Sequence, residues 1–340
     1  MIEVKRPLFV FAGQSNMMGA AVYPASRQIF FENSYEYMHK AKRFGEVSGA
    51  FKNYGFPSGE FSYKNLTEAY GENPDISDKS KLSGYTQNTY FCPSMCNLKN
   101  DEDKSTDSFD SYSEESAGMG VCLPPYIVKG LEEEGYACAY AHIAKGSVNI
   151  KYYIQGDGAA YFCQKSSDFF ADSSVRFCGD DTSERVLFWL QGECDAQNGY
   201  DEYKKSLEKL WSMAKKIGFK KFFIIRVGYW GKEAIADVMR AQEDFCKENI
   251  DAYMITRVCS YFAYKGQNMQ GWFKGGTLPA FTYCRDSFYG FLNQHINEKG
   301  FKVIAQYALP NIIRILFENK APILEEERII PLIEKTDHLL

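Results

Sequence analysis

The apolar run Phe9-Val10-Phe11-Ala12 ends in Gly13-Gln14-Ser15-Asn16 and passes directly into Met17-Met18-Gly19. A strand that needs only a turn is served by Asn-Gly or Asp-Gly. Here a hydroxyl stands between two amides instead. Backbone N–H groups at a helix start attract negative charge. A serine at that point is placed to attack a carbonyl while its own N–H helps to hold the resulting oxyanion. A serine is also a common helix cap, so Ser15 alone does not decide between the two roles.

Three further stretches carry polar groups at the ends of apolar runs. In Ala144-Lys145-Gly146-Ser147, the glycine lets backbone approach a ligand, so its N–H can act as a second oxyanion donor. Trp189-Leu190-Gln191-Gly192-Glu193-Cys194-Asp195 aims an amide and two carboxyls at one sheet edge. There, Gln191 can donate to an oxyanion and Glu193 can orient a histidine. A polar turn capped by Asp195 would read the same way. The histidines are His39, His142, His295 and His338. His142 falls inside an apolar run, where a packed, hydrogen-bonded core histidine is expected. His295 precedes the last amphipathic stretch and is the candidate general base for Ser15.

These residues need a scaffold that brings strand ends together. Apolar runs predict strands over 8–12, 135–144, 185–190, 221–227 and 252–256. Amphipathic periodicity predicts helices over 123–134, 201–217, 232–248 and from about 297 to 317, the last interrupted at Pro310. Near-continuous apolar strands alternating with such helices imply a mainly parallel sheet covered on both faces. The expected fold is therefore a doubly wound α/β domain with a sheet of about five strands. Its ligands belong beyond the carboxyl ends of those strands. Two stretches break the pattern, at about 31–116 and 151–182. Both read as loop insertions in a single domain spanning 1–340, the first as a lid or a region of small strands.

Composition narrows the function. The chain of 340 residues carries a net charge of −5, which argues against a nucleic-acid partner. No run of 18 apolar residues suggests a membrane span. The first residues lack the layout of a signal peptide, so a cytoplasmic location is favoured, with a secreted or periplasmic one left open. Ten cysteines include no CxxC pair and histidine is scarce, so a structural zinc site is not expected. Cys138, Cys246 and Cys259 read as buried free thiols, and Cys92 and Cys96 as a possible disulfide pair. Aromatic residues reach 16%, and most are expected in the core.

Taken together, GQSNM, AKGS, WLQGECD and the late HINEKG resemble the SGNH (GDSL-like) hydrolases. Within these they are most similar to the sialate O-acetylesterase-like branch, which includes carbohydrate esterase family six. The similarity runs from about residue 7 to 317, outside the two insertions. It implies an α/β fold, a three-layer α/β/α sandwich with a flavodoxin-like sheet, and hydrolysis of O-acetyl esters on a carbohydrate, sialic acid or another acetylated glycan, with no metal or organic cofactor required. Ser15 would be the nucleophile and His295 the base. The N–H groups of Ser15 and Gly146, with the Gln191 side chain, would form the oxyanion hole. The pattern departs from the family at one place. Most members carry an Asp three residues before the histidine, and here that residue is Leu292. Glu193 is the first choice to replace it, Asp286 the second, and a Ser–His dyad the third.

Substrate contacts are expected from Gln14, Asn16, Arg226, Arg257 and Trp230. Arg285 is a further candidate to fork onto a sugar carboxylate, and Tyr85, Tyr90, Tyr152 and Tyr153 to stack on a ring. Two rival functions use the same fold: a non-catalytic glycan-binding protein, favoured by Leu292, and a glycan O-acetyltransferase. The oligomeric state is not legible.

Overall fold

A computed structural model describes residues 6–19, 29–38, 50–52, 54–55, 122–146, 148–177, 183–230, 233–263, 283–284, 296 and 298–325. In chain order the main elements are β1 (Leu8–Gly13), α1 (Ser15–Met18), β2 (Tyr35–Met38), β3 (Ala50–Lys52), α2 (Pro124–Glu133), β4 (Ala139–Ala144), α3 (Gly156–Arg176), β5 (Arg185–Leu190), α4 (Gly199–Ile217), β6 (Lys221–Ile225), α5 (Ala236–Glu248), β7 (Ala252–Thr256) and α6 (Glu298–Leu316).

Strand β1 is buried at all six positions, as is β4. Strands covered on both faces belong in the middle of a parallel sheet. The main sheet runs β7-β6-β5-β1-β4-β2-β3. Six of its strands are parallel, and β3 joins β2 antiparallel at one edge. Without β2 and β3, the order is that of a flavodoxin-like sheet, with the chain reversing its direction of travel at β1. Helices α2 and α6 pack on each other, and α3, α4 and α5 pack in succession across the sheet. The result is the three-layer α/β/α sandwich.

Aromatic rings fill the centre. Phe11 stacks on Phe188 with centroids 4.4 Å apart, and Phe9 meets Phe188 edge-on at 5.0 Å. Each fully buried ring of this kind contributes about 1.5–3 kcal/mol by leaving water. His142 lies among them, 3% exposed, its Nε2 donating to the Met17 carbonyl at 2.8 Å. It is a core histidine, as expected, and it supports α1 from below.

Helices α3 and α6 differ from expectation. The stretch 151–182 contains α3, a regular 21-residue helix, instead of an irregular insertion. Its buried Phe162, Ser166, Phe169, Phe170 and Ser173 recur every three to four residues. Serines within that stripe weaken its apolar signal. The region after residue 31 adds β2 and β3 to the sheet, and Glu132 holds its entry by accepting the backbone N–H groups of Glu32, Asn33 and Ser34. Helix α6 continues through Pro310 without a break. Cys92 and Cys96 lie outside the described residues. Cys138 and Cys259 are buried free thiols, and Cys246 is a partly buried one. Burial pushes the Cys138 thiol up to about 12.

Candidate active site

Strand β1 ends at Gly13, whose φ of +151° and close neighbours exclude a side chain. A Cβ there would sit 2.1 Å from the Leu190 carbonyl oxygen. That close approach lets β1 and β5 deliver their next residues to one place. The Gln14 N–H donates to the Leu190 carbonyl at 3.2 Å, and the Lys145 N–H donates to the Gly13 carbonyl at 3.0 Å. The Tyr153 hydroxyl also donates to the Gly13 carbonyl, at 2.5 Å, and accepts the Lys145 N–H at 3.1 Å. Ser15 then opens the one-turn helix α1, which Gly19 closes in the left-handed conformation. Three strand ends thus converge, carrying Ser15, Gly146 and the Gln191–Asp195 turn. They meet at the point where the strand order reverses, the position at which open α/β sheets bind ligands.

Ser15 is 5% exposed, and Gly146 is buried beside Lys145. Gln191 is fully buried and its amide is already engaged. Its Nε2 donates to Asp195 Oδ2, and the Val148 carbonyl and Gln14 Oε1 lie at 3.2 and 3.3 Å. The Tyr203 hydroxyl and Gln242 Nε2 both donate to the Gln191 carbonyl, at 2.8 and 2.9 Å. Gln191 therefore sits in a closed internal network. Asp195 completes that network by accepting the Ile150 N–H at 2.9 Å.

Glu193 is 4% exposed. The preceding Gly192 has a φ of +148° and packs against Val238 and Val227, which turns the chain inward there. Glu193 Oε1 accepts from Asn16 Nδ2 at 2.6 Å, and Oε2 has no hydrogen-bond partner among the described residues. Burial raises its pKa above the ordinary carboxylate range, the Asn16 bond opposes that rise, and Asp195 adds to it. Neighbouring Cys194 has its thiol raised to about 11, by desolvation first and then by Glu193 and Asp195. It stays protonated at neutral pH and does not compete as a nucleophile.

Gln14 and Asn16, expected as substrate contacts, are buried instead. Gln14 is fully buried, with Oε1 accepting the Cys194 N–H at 3.2 Å. Asn16 is 3% exposed and accepts the Ile296 N–H at 3.0 Å on Oδ1. His295, Asp286, Leu292, Arg285, Tyr85 and Tyr90 lie outside the described residues. Ile296, the residue after His295, is thereby hydrogen-bonded to the residue after Ser15. Trp230 belongs to a two-residue strand, Tyr229–Trp230, paired with Glu233–Ala234.

Two proposed arginine contacts face inward. Arg226 is 1% exposed, donating to Glu243 Oε1 at 2.7 Å and to Ser260 Oγ. Arg257 forks onto the same carboxylate, at 2.6 and 2.7 Å. As placed, both guanidinium groups brace β6, β7 and α5 and leave no fork for a sugar carboxylate. Tyr153 is likewise no stacking platform, because its ring is wholly buried and its hydroxyl ties β1 to β4. Polar residues at strand ends look alike in sequence whether they face a ligand or each other.

The Glu243 cluster yields a stability prediction. Burial opposes ionisation of Glu243, but Arg257 and Arg226 outweigh it and lower its pKa. A lowered carboxylate stabilises the fold above its unfolded pKa, and that contribution is lost as pH falls through the folded value. Glu243→Ala leaves two guanidinium groups without their shared carboxylate. The expected loss is about 3–5 kcal/mol, read as a lower denaturant midpoint at pH 7. The gap to wild type narrows in acid, and an unchanged midpoint would contradict the assignment.

No family model matches this chain, and no curated protein sequence does. Solved structures do. NanS aligns at a TM-score of 0.50 and 10% identity, covering 94% of this chain and 99% of that one. A protein from Arabidopsis thaliana aligns at 0.45 and 12%, covering 90% and 97%. A carbohydrate acetylesterase from Xanthomonas citri aligns at 0.41 and 11%, covering 92% of this chain and 57% of that longer one. At these identities the NanS likeness speaks for the fold.

Proposed function

We propose that this chain is a serine esterase that removes O-acetyl groups from a carbohydrate through an acetyl-enzyme on Ser15. The observation that carries this reading is the bond from the Ile296 N–H to Asn16 Oδ1. Ile296, which follows His295 in sequence, is thereby tied to the residue after Ser15, 280 positions away along the chain.

In this reading the imidazole of His295 takes the Ser15 proton as Oγ bonds to the acetyl carbonyl carbon. The carbonyl electron pair moves onto oxygen. The backbone N–H groups of Ser15 and Gly146 hold that oxyanion, each such donor contributing about 3–4 kcal/mol. Gln191 was expected to donate there as well. With its amide engaged by Asp195, Val148 and Gln14, it acts instead by holding the floor of the site. The imidazolium then protonates the sugar oxygen as the ester C–O bond breaks. Water, deprotonated by the same imidazole, attacks the acetyl carbon, and acetate leaves as the imidazolium returns the proton to Ser15 Oγ. Glu193 holds the imidazole in the required tautomer in place of the missing aspartate.

The test is acetate release from a chromogenic acetate ester and from acetylated sialic acid, xylan and capsule polysaccharide. Free acetate is measured alongside any acetylated acceptor. Turnover with one Ser15 per chain labelled by a fluorophosphonate supports the esterase. Absence of turnover and of labelling on every substrate would instead favour a glycan-binding protein, and acetylated acceptor without free acetate a transferase.

A further inference from the structure

We infer that Asn16 is a positioning residue that takes over part of the task of the missing aspartate: one side chain sets both the histidine-bearing segment and the carboxylate that serves it. This rests on the esterase reading. The two ends of the Asn16 amide have opposite partners. Oδ1 accepts the Ile296 N–H at 3.0 Å, and Nδ2 donates to Glu193 Oε1 at 2.6 Å. Rotating the amide by half a turn would set an NH2 against an N–H and an oxygen against a carboxylate, so the orientation is dictated by its neighbours. Those neighbours lie 280 and 177 residues away along the chain.

The surroundings make this clamp stiff. Asn16 and Ile296 are 3% and 2% exposed, so water does not compete for either bond. The backbone of Asn16 belongs to α1, which His142 supports from β4. In most relatives by motif, an aspartate three residues before the histidine fixes the ring from its own loop. In this chain the corresponding constraint comes from the nucleophile turn. Ser15, Ile296 and the Glu193 carboxylate are then all referred to one residue.

Asn16 also affects the charge of Glu193. Asp195 on the same turn opposes that charge, and the Cys194, Tyr203 and Cys259 side chains sense it. The Asn16 N–H donates to this carboxylate at 2.6 Å and favours its ionised form, beside the backbone N–H groups of Gly192 and Glu193.

Two variants test the clamp in the full chain, with activity on a chromogenic acetate ester as the readout. Asn16→Ala is expected to lower kcat about 100-fold, the scale of a misplaced reacting group, with KM little changed. The acid limb of its pH profile moves to higher pH, because Glu193 loses a donor that favours its charge. Asn16→Asp keeps the acceptor for Ile296 but sets a second carboxylate against Glu193. That pair holds together while it shares one proton, so this variant keeps activity in mild acid and loses it as pH rises. It also keeps the size of the native side chain, and it decides the matter if the alanine variant does not fold. Wild-type kcat with an unshifted profile in Asn16→Ala would overturn the inference, as would an Asn16→Asp profile that parallels wild type. A wild-type protein without Ser15-dependent turnover would instead overturn the esterase reading itself.

Discussion

Ser15→Ala is expected to release no measurable acetate while folding as wild type does. Loss of the nucleophile from a serine hydrolase costs about 10⁶ in kcat, and the residual acceleration comes from the oxyanion donors and binding alone. The argument here is positional. Ser15 follows a strand whose last residue cannot carry a side chain, because the Leu190 carbonyl lies where its Cβ would be. Its turn is closed by Gly19 and supported by His142 and Tyr153. Such a turn, replacing a simple Asn-Gly reversal, makes sense if the hydroxyl has to face a substrate. Removing one oxygen from a residue that is 5% exposed leaves these supports intact. The thermal midpoint should therefore stay close to wild type while both acetate release and fluorophosphonate labelling vanish. Retained turnover in the folded variant would exclude the serine route.

The fold was legible because its strands announce themselves. Leu8–Gly13, Arg185–Leu190 and Lys221–Ile225 are short continuous apolar runs, and only a sheet covered on both faces buries them. Helix α3 was not legible, because Ser166 and Ser173 occupy its buried stripe and dilute the apolar period. Strands β2 and β3 fall where a lid or small strands were read, but their place in the main sheet was not legible. A strand in a polar region is recognised by its partner, and β2 pairs with β4 more than a hundred residues later.

The site divides in the same way. Residue types at strand ends pointed to Ser15, Gly146 and Glu193. They did not separate groups that face a ligand from groups that face each other. Asn16, Gln14, Arg226 and Arg257 read as substrate contacts because they are polar and lie at strand ends. Their hydrogen bonds to Glu193, Cys194 and Glu243 are set by packing and leave no local signature. The carboxylate proposed to serve the histidine is the clearest example. Leu292 stands where the resemblance implies an aspartate, and the burial of Glu193 beside Asn16 is the physical reason for proposing it in that role.

Glu193→Gln should separate a functional carboxylate from a structural one. In the native protein Oε1 is held by Asn16, while Oε2 is buried without a partner among the described residues. A charged oxygen left so is costly, and the raised pKa of Glu193 reflects that cost. The sign follows from linkage. A carboxyl whose folded pKa exceeds its unfolded one binds its proton more tightly in the folded state. Stability therefore falls as pH rises through that window and stays lower above it. Glutamine retains the acceptor for Asn16 and removes the charge. The variant is thus expected to be at least as stable as wild type at pH 7. Its activity should move the other way. An amide cannot balance the imidazolium, and it presents a donor to the ring N–H that the carboxylate would accept. Loss of that partner in a serine hydrolase costs about 10⁴ in kcat with the geometry intact. The wild-type profile should also fall at a pH above the ordinary carboxylate range, and that ionisation should be missing from the variant. A Glu193→Gln enzyme that keeps wild-type kcat, while Asp286→Asn loses it, would move the third catalytic role to Asp286.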